Sequence, residues 1–202
     1  MTVIRHELLR TIDDAISALA LALDDREDII ATTSFGYQSA LLFFLLDAAK
    51  IKFRTIYISS ALSVGGQEKQ RNILDSLFNI NLTHEDRQEW LSEVLAGRDF
   101  MGLEESERVS ICRDLKREPL RQFIDESRAN IWISGIRRDQ TAHRKSLQFI
   151  EMTDFGILRV APMYKWSRVD ASSILKFTGL PKNTDYIDYC KHNSHSECGL
   201  HL

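Results

Sequence analysis

No apolar run in this chain approaches the roughly 18 residues that a membrane-crossing helix needs, which excludes a transmembrane segment of that kind. Residues 1–7 lack the charged-then-apolar order of a secretory signal. Proline is scarce at three residues (Pro119, Pro162 and Pro181), and no stretch is repeated or of low complexity, so nothing reads as a linker. Cysteine is equally scarce: three, an odd number, fit a reducing compartment better than a disulfide framework. The same count falls short of the four thiolates of an iron–sulfur cluster. A net charge of −3 gives no general affinity for nucleic acid or membrane. What remains is ordinary: 202 residues, 44% hydrophobic and 27% charged, suffice for one domain with a full core. A cytoplasmic globular protein is expected.

Ile4, Leu8, Leu9, Ile12, Ile16 and Leu19 recur at helical spacing and predict an amphipathic first helix. The apolar run 28–33 predicts a strand that breaks at Ser34-Phe35-Gly36, and 39–50 is apolar almost all round, as in a buried helix. Further strands are predicted over 53–58, 80–83, 129–134 and 157–161, with helices over 67–78, 116–127 and 168–177. Pro119 is expected in the first turn of the 116–127 helix, where its missing N–H is tolerated. Cys112, just before that helix, reads as a buried small hydrophobe. Strands alternating with helices predict an α/β fold, a mostly parallel twisted sheet flanked by helices. In such sheets ligands bind at the carboxyl ends of the strands.

Two segments there suit an anion. Ser34, Phe35, Gly36, Tyr37, Gln38 and Ser39 form a strand-to-helix turn whose backbone N–H groups point outward, although a plain N-capped turn explains it as well. It is no Walker A loop, lacking the Gly-Lys-Ser/Thr ending. After the 129–134 strand, Gly135 leads into Arg137, Arg138, Gln140, Arg144 and Lys145; guanidinium forks suit phosphate and sulfate, while a solvated basic turn is the plain alternative. Two such segments on one sheet edge favour a phosphorylated or sulfated ligand. A third signal is Glu197-Cys198-Gly199-Leu200-His201: a thiol beside a glycine can be approached closely by another molecule. Termini are usually mobile unless tied down, and a mobile thiol can serve two partners in turn. Zinc held by Cys190, His192, His195, Cys198 and His201 is an alternative, but structural zinc sites draw ligands from separated elements.

In this order these segments resemble the phosphoadenylyl-sulfate (PAPS) reductases and related adenylyl-sulfate (APS) reductases. The resemblance rests on the Ser34–Ser39 loop, on Cys112 with Lys116, Glu118, Pro119 and Leu120, on Gly135, Arg137, Arg138, Gln140 and Arg144, on Pro162 with Trp166, and on 197–201. It implies an adenine nucleotide alpha hydrolase-like (PP-loop) fold, with residues 1–185 as the nucleotide-binding α/β domain and 186–202 as a mobile tail. Ser34, Phe35, Gly36, Gln38, Ser39, Lys116, Gly135, Arg137, Arg138, Gln140, Arg144 and Trp166 would bind the substrate. Cys198 would attack the sulfate sulfur, assisted by His201, and reduced thioredoxin or glutaredoxin would release sulfite. Cations in the pocket would favour the thiolate. No bound cofactor or metal is expected.

The chain departs from the family pattern at Ser59-Ser60-Ala61, where an Asp-Thr-Gly is usual, and at Lys165, where an Asp is usual. Its stretch from Pro181 to Cys198 is also short, and a homodimer with crossing tails is one way to deliver the thiol. PAPS is the expected substrate, with APS beside it. The alternatives are a PP-loop enzyme of sulfur transfer or ATP pyrophosphate chemistry and a non-catalytic binding protein.

Overall fold

The structure is a computed structural model that describes residues 2–191 and 200. Helix α1 (Thr2–Leu23) leads to β1 (Ile29–Thr33), α2 (Ser39–Ala48), β2 (Arg54–Ser59) and the short β3 (Ser63–Val64). Then come α3 (Gln67–Phe78), β4 (Leu82–Asp86), α4 (Gln88–Leu95), α5 (Glu105–Ser127) and β5 (Ile131–Ser134). The chain continues through β6 (Ile150–Met152), β7 (Leu158–Val160), α6 (Arg168–Thr178) and β8 (Ile187–Asp188). Six strands make one sheet in the order β4-β2-β1-β5-β7-β6, parallel except for β6, while β3 and β8 form an antiparallel pair. The α/β class expected from the pattern is therefore the one adopted. No helix among the described residues is long and apolar enough to cross a membrane.

Alternation in the central strands explains the layering. Ile29 and Ala31 of β1 and Ile131 and Ile133 of β5 face a core completed by Leu19 of α1, by Leu41 and Phe43 of α2, and by Ile174 of α6. Ile30 and Trp132 point to the other face, against Leu120, Phe123 and Ile124 of α5. A parallel sheet covered on both sides needs such continuous apolar strands. Trp132 keeps its polar atom satisfied, donating Nε1–H to Thr32 Oγ1 at 2.9 Å.

Helix α5 begins at Glu105, not at 116, and Pro119 lies deep inside it. The missing N–H is tolerated because Ile111, Cys112, Leu115, Leu120, Phe123 and Ile124 form a buried stripe along the whole helix, so packing outweighs one lost backbone bond. Helix α4 was not expected from the pattern; Trp90, Leu91, Val94 and Leu95 provide its apolar face against Phe100 and Ile111. The expected 80–83 strand lies later, over Leu82–Asp86, because it is an edge strand whose His84 and Asp86 stay exposed and hide the apolar signal. Strand β6, also at an edge, lacked a readable pattern for the same reason.

The largest correction concerns the cysteines. Cys112 is buried as expected, yet it is bonded to Cys190 across 78 residues of chain, a disulfide that the odd cysteine count did not favour. A cross-link of this kind typically stabilises a fold by about 2–4 kcal/mol. Cys190 also drops out as a zinc ligand in this state, since a disulfide sulfur is not a thiolate.

Phe43 is fully buried and its ring stacks near Phe35, Phe53 and Phe78. Phe43→Ala should lower the unfolding free energy by about 3–5 kcal/mol. Urea titration checks this, with the midpoint falling and the slope unchanged.

Candidate functional site

Parallel pairing of β1 with β5 (Ala31 opposite Ile133, Thr32 opposite Ser134) makes both strands end at one edge, where their loops emerge side by side. In the first loop, Phe35 adopts φ 49°, an unusual left-handed conformation, and its ring turns inward to meet Tyr57 edge-on at 4.9 Å. The Phe35 N–H donates to Thr33 Oγ1 at 3.1 Å, which tightens the turn. Ser39 opens α2, and its hydroxyl donates to Gly36 O at 2.9 Å. Gln38 Nε2 donates to Gly135 O at 2.9 Å, which clamps the first loop to the second.

In the second loop Gln140 is the organiser. Its Oε1 accepts the Arg137 backbone N–H at 2.9 Å and also a bond from Arg144 Nη1. Arg137 Nε donates to Asp139 Oδ1 at 2.9 Å, and the other oxygen of that carboxylate accepts the N–H of Arg168 at the start of α6. Arg137 and Arg144 are buried, at 5% and 7% exposure, so their guanidinium groups are positioned by the protein and not by water.

A strap formed by 181–191 closes the third side. Buried Asn183 donates its Nδ2–H bonds to Phe35 O at 3.0 Å and Gly65 O at 2.8 Å, tying the strap to the first loop. Tyr186 lies so close to Gly36 that a Cβ there would sit 3.0 Å from its ring, which is why that position has no side chain. Asp188 meets Lys116 of α5, with Nζ 3.1 Å from Oδ2 and 3.3 Å from Oδ1.

These elements enclose a cleft of about 550 Å³. Lys116, Arg137, Arg144, Arg168 and Lys191 line it, against one carboxylate among the described lining residues, Asp188. Tyr57 lies on its floor; burial pushes its phenol pKa up, the Asp86 carboxylate adds to this and Arg71 opposes it. The phenol is therefore neutral at physiological pH. A cationic cleft with hydroxyls (Thr32, Thr33, Ser34, Ser39) suits a polyanion of nucleotide size.

Of the residues expected from the sequence, Ser34, Gly36, Gln38, Ser39, Lys116, Gly135, Arg137, Gln140 and Arg144 come together in this lining. Three others do not. Phe35 is wholly buried beneath its loop, and Trp166 is 5% exposed within the core. Arg138 points away from its neighbour Arg137: its Nε donates to Leu147 O at 2.6 Å and its guanidinium lies over the Tyr164 ring at 4.8 Å. Cys198 and His201 lie outside the described residues, as do His192 and His195 of the zinc alternative. Among the described residues no cluster of three or more His, Cys, Asp or Glu is placed to hold a metal ion. Sequence reasoning missed Asn183, Tyr186, Asp188 and Lys191, which sit in a stretch without periodicity; only the folded strap brings them to the cleft. Leu200 also lines the cleft, against the apolar face that includes Ile30 and Trp132.

The family model described as "Phosphoadenosine phosphosulfate reductase domain" matches residues 28–187. A phosphoadenosine 5′-phosphosulfate reductase of Vibrio atlanticus is 25% identical over 170 residues, covering 82% of this chain and 65% of the relative. Adenosine 5′-phosphosulfate reductase 2 of Bacillus subtilis is 24% identical over 165 residues, covering 78% of this chain and 66% of the relative. The chain thus spans just under two thirds of the length of these curated relatives. Among solved structures, the PAPS reductase of Candida auris in a phosphate complex superposes with TM-score 0.68 at 18% identity, covering 84% of this chain and 82% of that one. The U34-tRNA thiolase NcsA of Methanococcus maripaludis reaches TM-score 0.68 at 12% identity, covering 91% and 68%. At such identities the likeness is one of fold.

Gly65 has φ +94°, and a Cβ there would lie 1.9 Å from Asp185 O, a backbone atom that cannot move without the strap. Gly65→Ala should destabilise by more than the roughly 1–2 kcal/mol of a left-handed alanine alone. Gly97→Ala is the control, since Gly97 has φ +80° and open space around it. Thermal unfolding of both variants measures the difference, and amide exchange over 183–188 should rise only in the first.

Proposed function

The chain belongs to the phosphoadenosine phosphosulfate reductase domain family, and from that premise we propose that it reduces an adenylylated sulfate, with PAPS as the first candidate substrate and APS as the second. The observation that carries this reading is the cationic cleft in which Arg137 and Arg144 stand beside the 34–38 loop, with Lys116 held against Asp188 on the opposite side. Phosphate and sulfate groups would lie among these cations, with Ser34, Gly36 and Gln38 contacting them from the first loop and Ser39 bracing that loop through Gly36 O. The substrate class extends to both nucleotides because the relatives carry both names.

Cys198 supplies the nucleophile in this proposal. Its thiolate would attack the sulfate sulfur, the bond from that sulfur to the bridging oxygen would break, and the nucleotide would leave with the oxygen and its electron pair. An S-sulfocysteine results. A dithiol donor of the thioredoxin or glutaredoxin type would then attack the cysteine sulfur, sulfite would leave, and a second thiol would free Cys198 by closing the donor's own disulfide. Buried guanidinium groups screen the approach of an anionic thiolate to an anionic ester. Support for delivery comes from Leu200, which lines the cleft two positions along the chain from Cys198. Two residues of chain span at most about 7 Å. Nothing in the chemistry calls for a bound cofactor or metal. A cytoplasmic setting would supply the donor, and His201 would stabilise the leaving group as a hydrogen-bond donor; a homodimer is a compatible assembly.

Mixing the protein with PAPS or APS and measuring its intact mass tests the mechanism. An adduct of about 80 Da on Cys198, absent from Cys198→Ser and removed by reduced thioredoxin with release of sulfite, is the expected outcome. A nucleotide-bound protein whose Cys198 stays unmodified with both substrates would sink it.

A further inference from the structure

The Cys112–Cys190 disulfide takes no part in the steps above, yet it joins two elements, α5 and the strap, that supply Lys116 and Asp188 to the cleft lining. Cys112 and Lys116 are four residues apart on α5 and so share a face of that helix. Cys190 and Asp188 are two residues apart on the strap, and the Cys190 N–H donates to Asp188 Oδ1 at 3.1 Å. The disulfide and the Lys116–Asp188 ion pair are therefore adjacent rungs between the same two elements. Asp188 is held from several sides: Lys116 reaches both of its oxygens, Tyr186 Oη donates to Oδ2 at 3.3 Å, and its side chain is 3% exposed. A lysine compensated in this way has little charge left to offer an incoming anion.

We propose that Cys112–Cys190 is a thiol-sensitive clasp that governs how firmly Asp188 holds Lys116, and with it the anion affinity of the cleft. Closed, it presses the end of the strap onto α5 and keeps Lys116 neutralised. Opened, it removes the one covalent tie at this end of the strap, so that Asp188 is kept in place by hydrogen bonds, by the two-residue pairing of β8 with β3 and by the bond from Tyr189 N–H to Leu62 O at 2.7 Å, all of which can open locally. Lys116 can then turn to a bound phosphate or sulfate. Asn183 anchors the strap further upstream, so the loop over Phe35 keeps its shape in both states.

The reductant is a dithiol. One of its thiolates attacks a sulfur of the disulfide to give a mixed disulfide, and its second thiol displaces the protein cysteine. The clasp gains two electrons and two protons as the thiols of Cys112 and Cys190, while the dithiol leaves as a disulfide. Both cysteines are 2% exposed, so exchange follows a local opening of the strap. Regulatory disulfides of this kind are the sort found in reducing compartments. The proposal rests on the nucleotide reading above. A reaction that consumes dithiol equivalents would thus acquire a competent site only when such equivalents are at hand.

Calorimetric titration of the full chain with adenosine 3′,5′-bisphosphate, oxidised or pre-reduced with dithiothreitol, tests the clasp. The reduced protein should bind about tenfold more tightly, the worth of one charge-assisted contact. Cys190→Ala should match the reduced form with or without dithiothreitol, and Asp188→Asn should bind tightly in both states. Independently, the backbone amides of Tyr189, Cys190 and Lys191 should exchange faster on reduction while those of β1 do not. Equal affinity of the oxidised and reduced wild type overturns the proposal, as does unchanged exchange at 189–191. Binding in neither state counts against the nucleotide reading instead, and amide exchange alone then decides the clasp.

Discussion

Parallel pairing of β1 with β5 brings the two anion-suited loops to one place. Because both strands run the same way, residues distant in sequence leave the sheet at the same edge, and a bond from Gln38 to Gly135 O ties them together. The pairing is itself secured by burial on both faces, with Ile29, Ala31, Ile131 and Ile133 on one side and Ile30 and Trp132 on the other. A slip of one residue would turn every one of these side chains to the opposite layer. The cleft inherits its rigidity from that requirement.

On this frame the electrostatics are arranged by short polar side chains. Gln140 and Asp139 hold the buried arginines in place, so the cost of desolvating the guanidinium groups is met before any ligand arrives. Asp188 does the reverse to Lys116, tying a cation to a neighbour inside the same cleft. Arg137 and Lys116 are thus both paired with carboxylates, but the partner of Arg137 lies outside the cleft lining and that of Lys116 within it. The disulfide beside the compensated pair connects the charge state of the cleft to thiol chemistry.

Much of this was legible in the sequence where a pattern is local. Helix α3 was predicted with its observed limits, since Gln67–Phe78 carries a complete helical period. The loops at 34–39 and 135–144 announced themselves by residue type, and most of their side chains do line the cleft. Trp166 and Phe35 misled because an aromatic residue inside a motif reads equally as a ligand platform or as core, and burial is invisible in one dimension. Arg138 misled because nothing in the string tells which of two adjacent arginines turns inward; here Leu147 O and the Tyr164 ring capture it.

Periodicity and loop chemistry act over a few residues, so the α/β layering, the sheet edge at which a site must lie and the basic character of that site could be read from the chain alone. The rest came from contacts made only in the folded state. Helix α5 runs through Pro119 since its buried stripe outweighs one absent hydrogen bond. The strap reaches the cleft since Asn183 finds two carbonyl groups far away in the chain. Cys112 meets Cys190 since the fold sets their Cα atoms 5.6 Å apart across 78 residues of sequence. Each of these depends on contacts between distant segments, whose free energy exists only once the chain has closed around them.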